Sequence, residues 1–229
     1  MNYIGMFDSS YILVIIGVVL TMIAQFYMQN TFNTYQSIRS RKGFTAAEVA
    51  ARILSANDIN NVAIGRVAGN LTDHYAPTKK QLNLSDTTYS SNSIAAVGVA
   101  AHEVGHAIQD ARHYFPLVFQ MSITPALSFV SSLSMPMILI GLILGWMKLF
   151  EFGVIAFSAT LIYQLITLPI EFNASHRALV TLDELNILDE DELYGVRKVL
   201  TAAALTYVAA AASTALQLLR LLMLSRRRD

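Results

Sequence analysis

His102-Glu103-Val104-Gly105-His106 is the stretch of this chain whose residue types and spacing could do chemistry. On a helix, residues i and i+4 share one face, one turn apart. Both imidazoles could then reach one metal ion, each nitrogen about 2.0–2.1 Å from it. Glu103 is offset by about 100° around the helix, so it reaches a water beside the metal rather than the metal itself. This is the His-Glu-x-x-His logic of zinc peptidases: the metal acidifies the water and the carboxylate takes its proton as the water attacks a carbonyl. Two solvent-facing histidines on a surface helix would be the bland alternative. The residues just upstream, Ile94, Ala95, Ala96, Val97, Val99, Ala100 and Ala101, make the helix apolar nearly all round and therefore buried. Buried polar side chains need partners, and a metal supplies one.

A catalytic zinc takes three protein ligands and keeps a fourth position open. The chain has no cysteine, so the third ligand must be a histidine or a carboxylate. His113 is seven residues past His106, about 10 Å along the axis, and too far while the helix continues. His74, Glu171 and His176 remain. Gly98 and Gly105 each cost about 1 kcal/mol in a helix interior relative to Ala. The expectation is that another helix packs against Gly105 and delivers the third ligand. His74, His176 and Arg177 are candidates for substrate contact or oxyanion stabilisation. A loop histidine and interfacial cations are the plainer readings. Asp110, one turn past His106, is a candidate for orienting an imidazole from behind, with a helix-surface acid as the plainer reading.

These residues need a scaffold, and composition says where it sits. Only 14% of the 229 residues are charged, against about 25% in soluble domains, and mean hydropathy is +0.47. Formal net charge is +0, which offers nucleic acid no basic footprint. Uncharged runs cover residues 11–28, 152–170 and 199–219, each long enough to cross a roughly 30 Å hydrocarbon core. A fourth, 114–147, has 34 residues and would reach about 50 Å as one helix. With Pro116, Pro125 and Pro136 inside it, it reads as an interfacial helix followed by a span from about 132. The turn after that span is short, so the next span returns to the side of the His102 helix, where Glu171 emerges. An ionisable residue at such a place is a functional candidate.

The polar block 30–113 holds the remaining elements. Thr45 and Glu48 form a capping-box pattern before a helix to about Ser55. Residues 62–67 and 81–84 read as short strands around a loop, Asp73-His74-Tyr75-Ala76-Pro77. The first of these could be an edge strand that pairs with an extended substrate. Serines 90, 91 and 93 offer N-caps for a helix over 93–112. The acidic run Asp189 to Glu192 suits a helix start, and Arg226 to Arg228 suits a membrane-flanking anchor. The expected fold is a mainly α-helical integral membrane protein, with about four transmembrane helices and a small α+β zincin-like catalytic subdomain. The expected division is 1–29, first transmembrane helix; 30–131, catalytic subdomain with the zinc-binding helix; 132–172, transmembrane hairpin; 173–198, helical segment after the third ligand; and 199–229, last transmembrane helix and basic tail.

Residues 93–109 (SIAAVGVAAHEVGHAIQ), 71–77 (LTDHYAP), 168–178 (LPIEFNASHRA) and 196–212 (VRKVLTAAALTYVAAAA) resemble, in this order, the YugP family of bacterial zinc-dependent membrane proteases. The resemblance implies a gluzincin-type site with logic like that of the HtpX-type membrane proteases. It implies one Zn2+ per chain held by His102, His106 and Glu171, with Glu103 as general base. It also implies a multi-pass protein of a bacterial cell membrane. Asn173 stands where the family usually has Asp, His176 where Arg is usual, and Ala76 where Asp is frequent. Asn173 still accepts hydrogen bonds, so an orienting role survives the change.

Basic residues flanking the spans number six on the catalytic side (Arg39, Arg41, Lys42, Arg177, Arg197, Lys198) and four on the other (Lys148, Arg226 to Arg228). This favours a cytoplasmic catalytic side. The expected function is a zinc endopeptidase whose partners are a peptide or protein substrate and the bilayer. A zinc-binding membrane adaptor or assembly factor without proteolysis is the alternative, although such a site would not need Glu103. A transporter fits least, because intramembrane charges are few.

Overall fold

The structure, a computed structural model, describes residues 9–226. They fall into two compact units. One comprises the N-terminal stretch to Gln25, Phe119–Leu168 and the stretch from Thr206; the other comprises Phe26–Val118 and Pro169–Leu205. The helices are α1 (Tyr11–Gln36), α2 (Ala46–Ala56), α3 (Asp86–Tyr89), α4 (Ile94–Ala111), α5 (Phe115–Leu144), α6 (Met147–Glu184) and α7 (Glu190–Arg226). The strands are β1 (Ala63–Val67), β2 (His74–Ala76) and β3 (Gln81–Ser85). The protein is thus mostly helical, with one small sheet. Among the described residues, α1, α5, α6 and α7 are long and apolar enough to cross a membrane. Arg227 and Arg228 of the basic anchor lie outside the described residues.

The first unit is built from stretches of those four helices. α5 and α6 turn back on each other at Gly145-Trp146, around a core of Ile138, Phe150 and Val154. Gln120 donates to Thr167 at 2.6 Å, and Thr160 donates to Ser131 at 3.3 Å. Large apolar side chains elsewhere on the unit point outward: Phe129, Ile143 and Ile155 are each at least two-thirds exposed. Water would penalise such a surface and lipid would not.

One expectation is corrected here. Residues 115–144 are a single 30-residue helix, not an interfacial helix followed by a separate span. Pro116 lies in the first turn, where no N–H is required. Pro125 and Pro136 lie inside the helix. Nearby hydroxyls bond back to carbonyls of the preceding turn, Thr124 to Gln120 O and Ser132 to Phe129 O. In hydrocarbon, unmade helical backbone groups would be costly, which is the setting in which a helix tolerates interior prolines. Similarly, 152–170 is only the middle of a 38-residue α6. The stretch 173–198 is shared between the end of α6 and the start of α7.

The second unit positions the candidate site. Thr45 caps α2, with the reciprocal Glu48 side-chain bond to the Thr45 N–H completing the capping box. β3 is the central strand. It runs parallel to β1 (Ile64 opposite Leu82) and antiparallel to β2 (Tyr75 opposite Leu82), giving the order β1-β3-β2. Its alternation turns Leu82 and Leu84 into the core with Val49 and Ile53 of α2 and Val97 and Val104 of α4. The expected loop Asp73 to Pro77 therefore contains a strand, β2, too short for alternation to reveal. The Asp73 carboxylate holds its approach by accepting from the Ser85 N–H and hydroxyl, at 2.7 and 2.9 Å. Ser93 caps α4 by accepting from Ala96 N–H. Asp189 to Glu192 start α7 as expected, and they also hold Arg41: its guanidinium reaches Asp189 and Asp191, and its backbone N–H donates to Glu192 at 2.8 Å.

Candidate metal centre

α4 carries His102 and His106 on one face, their ring centroids 4.8 Å apart and nearly perpendicular. The backbone of α6 approaches that helix at Gly105. A Cβ there would lie 2.5 Å from the Ala174 carbonyl oxygen, so only glycine permits this separation. As expected, the element packed on Gly105 is another helix, and it is the one that carries Glu171. Gly98, two turns earlier, faces Val196 of α7, whose Cγ1 would be 2.9 Å from an added Cβ.

With α4 and α6 in close contact, the Glu171 carboxylate enters between the imidazoles. His102 Nε2 is 3.2 Å from Glu171 Oε2, and His106 Nε2 is 3.8 Å from Oε1. One donor atom from each of the three residues lies within 4.8 Å of the others. Two donors each about 2.0–2.1 Å from a tetrahedral zinc stand about 3.3 Å apart. The nitrogen and oxygen set fits zinc in chemistry, and the His102–Glu171 separation matches that spacing; the wider His106–Glu171 separation would close on an ion. His102 and His106 side chains are 15% and 16% exposed and Glu171 11%, so the group is shielded but reachable.

Burial pushes the His102 imidazole down. A hydrogen bond to Glu171 and the charges of Glu103 and Glu171 outweigh this and hold its pKa above the ordinary histidine value. A protonated nitrogen cannot bind metal, so a proton competes with zinc below that raised pKa. Zinc affinity should therefore weaken as pH falls, beginning above the range of a free histidine. Competition with a chromogenic chelator across a pH series measures this. An affinity flat from pH 8 to pH 6 would contradict it.

The other imidazole nitrogens are held by residues the sequence reading missed. Ser175 Oγ lies 3.1 Å from His102 Nδ1. Gln109 Oε1 lies 3.0 Å from His106 Nδ1. The Gln109 amide also donates to the Ile170 carbonyl at 2.8 Å and to Asn173 Oδ1 at 3.0 Å. Gln109 is fully buried. A glutamine three residues after the second histidine was the available signal, since its i+3 position puts it on the face of the two histidines.

Asp110, a candidate for orienting an imidazole, is bonded to residues of the sheet side. It accepts from the Tyr75 hydroxyl and from Lys80 Nζ, both at 2.6 Å. Burial and this bond to Asp110 raise the Tyr75 phenol pKa. Asn173 accepts from Gln109 and also from Arg177 Nε at 2.8 Å. Arg177 is thereby turned onto Asn173, with its guanidinium 5.9 Å from the Tyr114 ring centroid. His176 is exposed, and the structure does not bring it into the Glu171 cluster. His74 is exposed on β2, its ring nitrogens set against Thr72 O and Asn83. Glu103 stands beside the triad, with Oε2 accepting from the Tyr75 N–H at 3.0 Å. β1 is an edge strand as expected, but the edge strand bonded to Glu103 is β2.

Fold and site together define a class: a protein of helices long and apolar enough to cross a membrane that carries a candidate His-His-Glu metal centre. A family described as "Putative neutral zinc metallopeptidase" matches residues 10–226. The chain is 44% identical over 205 residues to "Putative membrane protease YugP" of Bacillus subtilis (strain 168), covering 90% of this chain and 91% of that protein. The chain belongs to this family. No solved structure matches it.

Proposed function

We propose that the protein is a membrane-embedded zinc endopeptidase that hydrolyses peptide bonds of membrane or membrane-proximal proteins. The observation that carries this is the placement of Glu103. It stands next to three metal-type donors without being one of them, and a purely structural site has no use for such a carboxylate. His102, His106 and Glu171 would hold one zinc ion per chain. Bound there, zinc would supply Lewis-acid polarisation and a more acidic water. Glu103 accepts the proton of the attacking water and hands it to the leaving amine. The Tyr75 N–H holds one oxygen of Glu103 and leaves the other for that transfer. The small sheet with α4 then serves as the zincin-like catalytic part, and extended substrate would lie along the β2 side.

Glu171 is the ligand whose loss is most informative. In Glu171→Gln the amide is a poorer ligand than a carboxylate, and zinc affinity is expected to fall at least about 100-fold. The test of the whole reading is elemental analysis and casein cleavage by the purified protein. One zinc per chain is expected, with cleavage stopped by a chelator and restored by zinc. Zinc bound without cleavage of any unfolded substrate would favour the adaptor reading.

The catalytic side is proposed to be cytoplasmic in a bacterial cell membrane, on the basic-residue asymmetry. The chain has no cysteine, so single Ser37→Cys and Ser225→Cys variants can be labelled cleanly. Ser37 is exposed, unlike its neighbour Ser40. A membrane-impermeant thiol reagent should label only Ser225→Cys in intact spheroplasts. Labelling of Ser37→Cys alone would reverse the assignment.

A further inference from the structure

Gln109 touches a candidate ligand side chain, and its amide bonds to both helices of the site. Its carbonyl oxygen faces His106 Nδ1 on α4. Its NH2 group donates to the Ile170 carbonyl and to Asn173 on α6, one residue before and two residues after Glu171. The two NH2 bonds fix which way the amide points. A carbonyl oxygen can only accept, so His106 Nδ1 must carry the proton. A neutral imidazole with a proton on Nδ1 has its lone pair on Nε2, the atom that faces Glu171. Asn173 contributes through Oδ1 alone, accepting from Gln109 and from Arg177. An acid is not required for that task.

We propose that Gln109 is a positioning residue that sets the tautomer and ring orientation of His106 toward the metal, with Asn173 and the Ile170 carbonyl as its anchors on the Glu171 helix. The same amide ties the placement of His106 to the placement of Glu171, so both ligands are set by one group. This rests on the zinc reading above.

The test uses the full-length protein in detergent and two readouts. The first is zinc affinity by chelator competition. The second is the 15N signature of His106 in histidine-labelled, zinc-free protein, which reports the tautomer directly. Gln109→Leu should weaken zinc binding about 10–100-fold and lose the single Nδ1–H form. Gln109→Glu keeps an acceptor for His106 while losing the donors to α6. It should retain the Nδ1–H form, with a zinc affinity between those of the wild type and the Leu variant and a lower melting temperature. If Gln109→Leu does not fold, Gln109→Met, closer in length, takes its place with the same expectations.

An unchanged His106 signature and zinc affinity within twofold in the Leu or Met variant would overturn the proposal. So would a Gln109→Glu protein as weak in zinc binding as the Leu variant with His106 unaltered, since Gln109 would then only hold the helices together. Failure of the wild-type protein to take up zinc would remove the functional reading. The tautomer comparison on zinc-free protein would still judge Gln109 by itself.

Discussion

Glu103→Gln should bind zinc as tightly as the wild-type protein and cleave casein at least about 100-fold more slowly, the lower end of what a positioned general base contributes. The two effects separate because Glu103 is not among the three clustered donors. Its carboxylate oxygen accepts a bond from the Tyr75 N–H at the near edge of the sheet. Glutamine has the same shape, and its carbonyl oxygen can still accept from that N–H, so β2 and α4 should keep their places. It cannot take a proton from water. Melting temperature, zinc content and initial cleavage rate should be measured on one preparation. Equal rates in the two proteins would remove Glu103 as the base. Loss of zinc together with activity would mean that Glu103 is a ligand, contrary to its position.

The second large effect is expected at Gly105, well inside the fold. Substitution by Ala would ordinarily stabilise a helix by about 1 kcal/mol. Here the added Cβ would meet the Ala174 carbonyl oxygen at 2.5 Å and the Ala174 Cα at 3.1 Å. These are backbone atoms of α6 and cannot swing aside, so the helices must separate. Overpacking of this kind costs about 1–3 kcal/mol, which outweighs the propensity gain. Because Glu171 is on α6, separation also draws its carboxylate away from the two imidazoles proposed to share a zinc ion with it. Gly105→Ala should lower both melting temperature and zinc affinity, and Gly105→Leu should lower both further. Gly98→Ala is the control. Its Cβ meets a methyl group of Val196 on α7, a helix that carries none of the three clustered residues, so its zinc affinity should change much less. Gly105→Ala binding zinc as tightly as wild type would show that α6 does not need this approach.

Residues far from the site show how much was legible in the chain. The Thr45 cap, the start of α4 at Ser93 and the strands at 63–67 and 81–85 depend on neighbours in sequence, and all were readable within a residue or two. β2 was not. Its three residues are a strand only because β3 lies beside them, and nothing local marks them. The break expected within 115–144 failed for the opposite reason. Proline is a strong local signal, but the helix runs on through Pro125 and Pro136, as helices in hydrocarbon can.

The sequence by itself determined the chemistry that is available: two imidazoles one turn apart, a carboxylate between them, no thiolate, and enough uncharged helix to place them at a membrane. These follow from side-chain type and helical periodicity, which act over a few residues. Tertiary structure decided which atoms those groups face. Glu171 reaches the imidazoles because glycine lets α6 touch α4. Gln109 rather than Asp110 holds His106, because Asp110 is taken by Tyr75 and Lys80 from the sheet. Such choices depend on hydrogen bonds between groups as far apart as 73 residues, and only the packed chain brings those groups within hydrogen-bonding distance.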